Sequence, residues 1–310
     1  MKKILVTGGA GFIGSNIVPR LIEKGHSVTV LDNLSSGKLE NLRTVRNSPN
    51  FQFIQGDVQN KTTLHKALCM VDAVVHLAAL IDIPASVTSP LKTHEVNATG
   101  TLNTLEAAIK ENTVKRFVFA SSTAVYGNAE ALPIMESTPP TPISPYAASK
   151  VAGEAYCNAF TRCYGLSTVI LRFFNVYGPR NEKNPYSGVI TKFLDQALNG
   201  EVLTIYGDGK QTRDFIHVND IVDAIVLALE AKGMDGEIFN VCTGSPTSIS
   251  ELVEALHGVV KQDLRVNHAS PRAGEIKFSY GDPSKAAEKL QFTAKVSLHE
   301  GLKLLLKSTT

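Results

Sequence analysis

The chain opens on a short apolar run, Ile4-Leu5-Val6, closed by glycines. From Phe12 to Lys24 the apolar residues recur with helical spacing, and the pattern stops at Gly25. Further apolar runs follow at Val28–Leu31, Phe51–Ile54, Ala73–Leu77, Phe117–Ala120 and Thr168–Arg172. Helical stretches lie between them, the clearest from Asn97 to Lys110 and from Tyr146 to Cys163. Apolar strands alternating with helices predict a parallel sheet covered on both faces.

After about Phe173 the segments shorten and carry Pro and Gly breaks, as in Tyr177-Gly178-Pro179 and Tyr206-Gly207-Asp208-Gly209. Asp208-Gly209 and Gly236-Glu237 read as turns, and helices return at Val218–Lys232, Ile249–Val260 and Pro283–Leu290. The division expected is a large domain over 1–173 and a smaller lobe over 174–310, with some strands and helices exchanged between them. Ligands of open α/β sheets bind beyond the carboxyl edge of the strands, so the cleft is expected there. The Pro-rich stretch Pro133–Pro145 reads as a fixed loop rather than a linker.

Composition sets the outer limits. With 310 residues, 43% of them hydrophobic, the chain can bury a full α/β core and a second lobe. Its net charge is +2 with the signs mixed along the chain, which argues against nucleic acid and anionic membranes as partners. No apolar run approaches membrane-spanning length. Met1-Lys2-Lys3-Ile4 leads directly into a strand and leaves no room for a signal peptide. The four cysteines lack CxxC spacing and read as free thiols in a reducing compartment. A soluble cytoplasmic protein is expected. The eight histidines show no metal-ligand spacing, so no metal is expected, and His76 and His217 read as structural.

Chemistry enters at the first turn. Gly8, Gly11 and Gly14 are spaced GxxGxxG between a strand and a helix. That context lets the backbone turn sharply and approach a phosphate, which the helix N-terminus then meets with free N–H groups. Asp32 ends the second strand, 18 residues after Gly14. A carboxylate there can accept from ribose hydroxyls and repel a 2′-phosphate, which favours NAD over NADP. Asp57-Val58 is placed to meet the adenine, although Asp57 reads equally well as a turn or N-cap residue. The fold expected is thus α/β, a Rossmann-type doubly wound parallel sheet with a smaller C-terminal α/β substrate lobe.

Tyr146 and Lys150 stand at i and i+4 near the start of a helix and project from one face. An ammonium beside a phenol stabilises the phenolate and brings it toward acid–base work near neutral pH. Moving a phenol from ~10 to ~7 takes about 4 kcal/mol. Ser121 and Ser122 end the fifth strand just before that helix, where a hydroxyl can reach the same substrate oxygen or serve ordinary turn chemistry.

On these residues the chain resembles the extended short-chain dehydrogenase/reductases and, among them, the nucleotide-sugar epimerases of the UDP-glucose 4-epimerase type. The resemblance runs over essentially the whole length. It rests on Thr7–Gly14, Asp32–Gly37, His76–Ala79, Asn97, Ser121–Gly127, Tyr146–Lys150, Phe174–Pro179, Arg213–Val218 and Arg272–Glu275. It implies that Ser122, Tyr146 and Lys150 are catalytic. It further implies cofactor contacts at Gly8, Gly11, Phe12, Ile13, Gly14, Asp32, Asn33, Leu34, Ser35, Ser36, Gly37, Asp57, Val58, Leu77, Ala78, Ala79, Asn97 and Phe174. Ser122, Tyr146 and Lys150 belong to that set as well. The implied substrate contacts are Ser122 and Tyr146 with Asn175, Val189, Tyr206, Arg213, Arg272 and Ser279. Two arginines suit a diphosphate because the guanidinium fork binds phosphate at two points.

The mechanism implied is transient oxidation of the sugar at C4 by NAD, rotation of the 4-keto sugar, and return of the hydride to its other face. Related 4,6-dehydratases and decarboxylases carry acidic or Ser-Glu residues after the catalytic Ser/Thr, where this chain has Thr123 and Ala124. Ser279, seven residues after Arg272, matches a position that is a bulky Tyr in enzymes restricted to glucose and galactose and small in those accepting N-acetylated sugars. UDP-glucose/UDP-galactose and UDP-GlcNAc/UDP-GalNAc are therefore the expected substrates, although Tyr280 could refill the space. Galactose epimerases place a Lys after the Ala-Ala turn, where this chain reads Leu80-Ile81-Asp82-Ile83. A UDP-glucuronate 4-epimerase or decarboxylase is the enzymatic alternative, and a non-catalytic NAD-binding regulator the alternative from another class. A homodimer through the Asn97–Lys110 and Tyr146–Cys163 helices is implied by the resemblance.

Overall fold

The computed structural model describes residues 1–181, 188–271 and 276–309. Arg272, an expected phosphate contact, lies outside the described residues. The first half runs β1 (Lys3–Thr7), α1 (Phe12–Glu23), β2 (Ser27–Asp32), β3 (Phe51–Gln55), α2 (Lys61–Leu68), β4 (Ala73–His76), α3 (Ile83–Thr88), α4 (Pro90–His94), α5 (Gly100–Glu111), β5 (Arg116–Ser122), α6 (Pro145–Tyr164) and β6 (Thr168–Phe173). The second half runs β7 (Asn175–Tyr177), α7 (Val189–Leu198), β8 (Leu203–Tyr206), β9 (Thr212–Arg213), β10 (Phe215–His217), α8 (Val218–Glu230), β11 (Glu237–Val241), β12 (Thr247–Ser248), α9 (Ile249–Val260), β13 (Val266–Ala269), β14 (Phe278–Ser279), α10 (Ser284–Leu290) and α11 (Leu298–Thr309).

Seven strands form one parallel sheet in the order β11-β6-β5-β4-β1-β2-β3. The order reverses about β1, so helices cover both faces and the crevice opens where β1 and β4 diverge. Alternation along each strand feeds the two layers. Ile4, Val6, Val28, Val30, Val75, Val118 and Val169 pack with Ile17, Leu21, Ile221 and Ile225 of α1 and α8. Leu5, Leu31, Val74, Phe117, Phe119 and Ile170 face Leu64, Leu105 and Cys157 of α2, α5 and α6.

The seventh strand was not among the apolar runs above. Gly236 does form a turn, at φ +78°, but Glu237 already begins β11, which pairs with β6. This strand and α8 come from beyond residue 174 yet belong to the large sheet layer. α10 joins them through Ala286 and Leu290, whereas α7, β8, α9 and α11 enclose a separate core with Phe193, Ile205, Leu252 and Leu302. Among the described residues no helix is long and apolar enough to cross a membrane. Cys69, Cys157, Cys163 and Cys242 are free.

Candidate active site

The glycine turn sits at the carboxyl end of β1. Gly8 has φ +69°, and a Cβ there would lie 2.8 Å from the Ala78 nitrogen. A Cβ on Gly14 would lie 2.3 Å from the Gly8 carbonyl oxygen. The turn therefore folds tightly onto its own helix and against Leu77-Ala78-Ala79 beyond β4. Gly11 is the N-cap of α1 and brings no capping side chain, so the first-turn N–H groups of Phe12, Ile13 and Gly14 can serve an anion.

Asp32 is buried across from this turn. Its Oδ2 accepts from Ala10 N–H at 2.9 Å and its Oδ1 from Leu34 N–H at 2.8 Å. Both oxygens keep a lone pair for a ribose diol. Burial pushes this carboxyl above its ordinary range, and the two backbone donors pull it back. Asn33 donates to Asp57 at 2.7 Å and accepts from Ser35 N–H at 3.0 Å, which ties the Asn33–Gly37 loop to the start of the Asp57-Val58 turn. Val58 is buried under Gly100. A glycine cradle that a Cβ would fill, free helix N–H groups and a carboxylate with spare acceptors together fit a dinucleotide.

A buried chain of hydrogen bonds fixes the strand ends around the cradle. Thr101 Oγ1 donates to the Asn97 carbonyl at 2.6 Å, so it accepts from His76 Nε2 at 3.0 Å. Thr7 Oγ1 lies 2.8 Å from His76 Nδ1 and takes the Ala78 N–H at 3.3 Å, which leaves its hydroxyl hydrogen for Nδ1. His76 is therefore the neutral Nε2–H tautomer, and burial pushes its pKa down to about 3. Asn97 was expected against the cofactor. Its Oδ1 accepts from Leu80 N–H at 2.8 Å, and its Nδ2 donates to the Leu80 carbonyl and to Ser149 Oγ. One Oδ1 lone pair is what remains for a ligand.

Ser144 and Pro145 start α6, with the Ser144 hydroxyl accepting from Ala147 N–H at 3.1 Å. This puts Tyr146 in the first turn, with its phenol beside Ser122 at the end of β5. Lys150 Nζ donates to the Ala120 carbonyl at 2.8 Å and lies 6.0 Å from the Tyr146 ring centroid. The loop before α6 is held by Thr141, which donates to the Val125 and Tyr126 carbonyls at 3.0 and 2.6 Å.

Burial pushes the Tyr146 phenol up, and its neighbour Ser122 opposes the rise. Burial also pulls Lys150 down to about 8, against the pull of Glu154. The protein alone thus holds both groups nearer their neutral forms.

On the lobe side, Phe174 packs its ring among Val125, Tyr126, Ile134 and Cys242, so its backbone alone can face a cofactor. Asn175 begins β7, and its buried Oδ1 has no hydrogen-bond partner among the described residues. Val189 begins α7, and Tyr206 ends β8 opposite Ala269. Arg213 and Ser279 are register partners in β9 and β14, so the expected phosphate clamp and sugar gatekeeper are neighbours. Sequence reasoning missed Asp214. Its buried carboxylate accepts from Thr243 N–H and Oγ1–H, Gly244 N–H and Gly281 N–H at 2.7–3.3 Å, joining three loops beside Asn175. A lone acid beside the apolar Phe215-Ile216 was the available signal.

The NAD dependent epimerase/dehydratase family matches residues 4–242. A UDP-glucose 4-epimerase of Mycolicibacterium smegmatis is 40% identical over 301 residues, covering 97% of this chain and 96% of that one. A UDP-N-acetyl-alpha-D-glucosaminuronate decarboxylase of Bacillus cytotoxicus is 35% identical over 321 residues, covering 97% and 96%. The solved structure of the UDP-N-acetylglucosamine 4-epimerase from Methanobrevibacter ruminantium, in complex with UDP-N-acetylmuramic acid, superposes with a TM-score of 0.95 at 41% identity, covering 99% of this chain and 98% of that one. With a nucleotide cradle, a Ser–Tyr–Lys cluster and these likenesses along its length, the chain belongs to the NAD-dependent epimerase/dehydratase family.

Proposed function

We propose that this chain inverts C4 of a UDP-hexose through a transient 4-keto sugar. The observation that carries the reading is that Tyr146, Ser122 and Lys150 meet at the sheet edge that also bears the glycine cradle and Asp32. Gly8–Gly14 would hold the pyrophosphate, Asp32 the adenosine ribose, and Asn33–Gly37 with Asp57 and Val58 the adenine side. Bound there, NAD would supply the hydride acceptor at C4 and a positively charged nicotinamide ring that favours the Tyr146 phenolate. Tyr146 takes the proton of the 4-hydroxyl and later returns it, Ser122 orients that oxygen, and Lys150 supplies positive charge beside it. Asn175, Arg213 and Arg272 would grip the nucleotide diphosphate while the sugar turns, with Val189 and Tyr206 near the uridine.

The substrates proposed are UDP-glucose/UDP-galactose and UDP-GlcNAc/UDP-GalNAc, because a serine at 279 leaves room for an N-acetyl group. Thr123 and Ala124 offer no carboxylate for elimination at C5–C6, which supports epimerisation over dehydration. The second reading, a UDP-glucuronate 4-epimerase or a decarboxylase, draws on the missing lysine at Leu80–Ile83 and the likeness to a decarboxylase. The enzyme is proposed to work in the cytoplasm as a homodimer formed through α5 and α6, where Tyr156 and Tyr164 are exposed.

Coupled assays of the purified holoenzyme on UDP-glucose, UDP-GlcNAc and UDP-glucuronate test the reading. Inversion at C4 without loss of CO2 is expected on the first two, and turnover of the third alone, by inversion at C4 or by release of CO2, establishes the alternative. Tyr146→Phe should abolish turnover with little change in UDP affinity, and a fully active variant sinks the mechanism.

A further inference from the structure

Tyr146, Lys150 and Glu154 stand four residues apart on α6, so they share one face of it, and all three are buried. Tyr146 and Lys150 carry the proposed chemistry, whereas Glu154 has no part in it. Its partners are well defined. Arg172 on β6 donates Nε to Oε1 at 2.9 Å and Nη2 to Oε2 at 2.6 Å, and Ser121 donates to Oε1 at 2.5 Å. Ser121 and Arg172 are opposite one another in the β5–β6 ladder, and Ser121 precedes Ser122. The Arg172 guanidinium also lies 4.6 Å from the Tyr126 ring centroid. A buried ion pair is often matched or exceeded in stability by well-packed apolar side chains. Its location, one turn of α6 beyond Lys150 and one residue before Ser122, points to a task in the site.

We propose that Glu154, held by Arg172 and Ser121, is a positioning residue for the reaction, its carboxylate keeping the buried Lys150 protonated so that Tyr146 and Lys150 work as an acid–base pair. The inference rests on the acid–base reading of Tyr146 and Lys150.

The surroundings of Lys150 single out Glu154. On α6 it faces Tyr146, Glu154 and Cys157, whose thiol burial keeps protonated. β5 presents the Phe119 ring, 5.2 Å from Nζ, and the Ala120 carbonyl, neither of which titrates. β4 brings His76, which is neutral. β6 brings Arg172, committed to Glu154, and Arg172 Nη1 also reaches the backbone carbonyl of Glu136. The Glu136 carboxylate accepts from Asn240 N–H. Among the described residues Glu154 is thus the carboxylate that acts on the ammonium, one helical turn away, and it opposes the downward pull of burial.

The test is the pH dependence of kcat for the holoenzyme. In Glu154→Gln the alkaline limb should move down by about half a pH unit or more. It should move in the same direction, by less, in the double variant Glu154→Gln/Arg172→Met, which leaves no unpaired guanidinium and serves if the single variant fails to fold. Ser121→Ala removes a hydrogen bond but no charge and should leave the limb in place, and Glu154→Asp should restore it. Limbs that superpose on the wild type in the charge-removing variants, with kcat alone lowered, overturn the proposal and leave Glu154 a purely structural residue. A fully active Tyr146→Phe overturns the acid–base reading itself, so the two failures are distinguishable.

Discussion

The Lys150 ammonium donates to the Ala120 carbonyl at 2.8 Å, which anchors it to the last turn of sheet before Ser122. Helix and strand are thereby joined at the point where Tyr146 meets Ser122. Burial lowers Lys150 to about 8, so its charge is lost within reach of ordinary assay conditions. kcat should therefore fall as pH rises through about 8. Stability should not fall with it. Between about 8 and 10.5 the unfolded chain holds the proton that the folded chain has released, so the Lys150 contribution to folding becomes more favourable with pH. Parallel profiles of kcat and thermal unfolding check this, and a simultaneous loss of both would assign the alkaline limb to denaturation.

His76 acts on the acid side. It is buried neutral with a pKa of about 3, while the unfolded histidine titrates near 6.5. As pH falls below that value the unfolded state gains a proton that the folded state refuses, so stability is lost, by up to about 4 kcal/mol near pH 3. His76→Gln can still donate and accept but cannot charge. Its stability should be lower at pH 7 and flatter below pH 6, as urea titrations at several pH values would record; an unchanged slope would remove His76 as the cause.

Gly14 and Gly11 of the first turn should fail differently. A Cβ on Gly14 meets backbone at 2.3 Å, so Gly14→Ala strains the protein itself and should cost about 1–3 kcal/mol. A Cβ on Gly11 would lie 3.3 Å from the Gly8 carbonyl oxygen, a tight contact that a shift of a few tenths of an ångström relieves. Gly11→Val should therefore fold nearly as well as the wild type and yet purify without NAD, because its side chain occupies the approach of the pyrophosphate. Thermal unfolding with cofactor content measured on the same preparations separates the two.

Gly153 lets α6 lie close on β5. A Cβ there would sit 2.4 Å from Phe119 Cζ, the ring over which Lys150 lies. Gly153→Ala should push the helix outward and displace Tyr146 and Lys150 from Ser122. A misplacement on the order of 1 Å costs roughly 10²-fold in rate. kcat should fall far more than the affinity for UDP, and equal losses in both would point to general unfolding.

Ser279 is the neighbour of Arg213 and is buried, so a larger side chain has little room to turn away. Ser279→Tyr should lower kcat/KM on UDP-GlcNAc tenfold or more, about 1.4 kcal/mol, with UDP-glucose much less affected. Equal activity on both sugars in that variant removes Ser279 as the gatekeeper.

The sequence by itself determined the strand and helix alternation, the glycine turn, Asp32 at the end of β2 and the Tyr146–Lys150 spacing. Each of these is a local pattern, set by the period of a strand or helix or by the steric needs of a single turn. Tertiary structure decided what local period does not encode. β11 is a strand because β6 offers it an edge, although Glu237 reads as a turn residue on its own. Glu154 and Arg172 lie on different elements and meet only through the β5–β6 register and the approach of α6. Asp214 finds its donors on two loops far along the chain. The direction of the Tyr146 shift depends on burial, which is a property of the packed cleft and not of the two residues four apart.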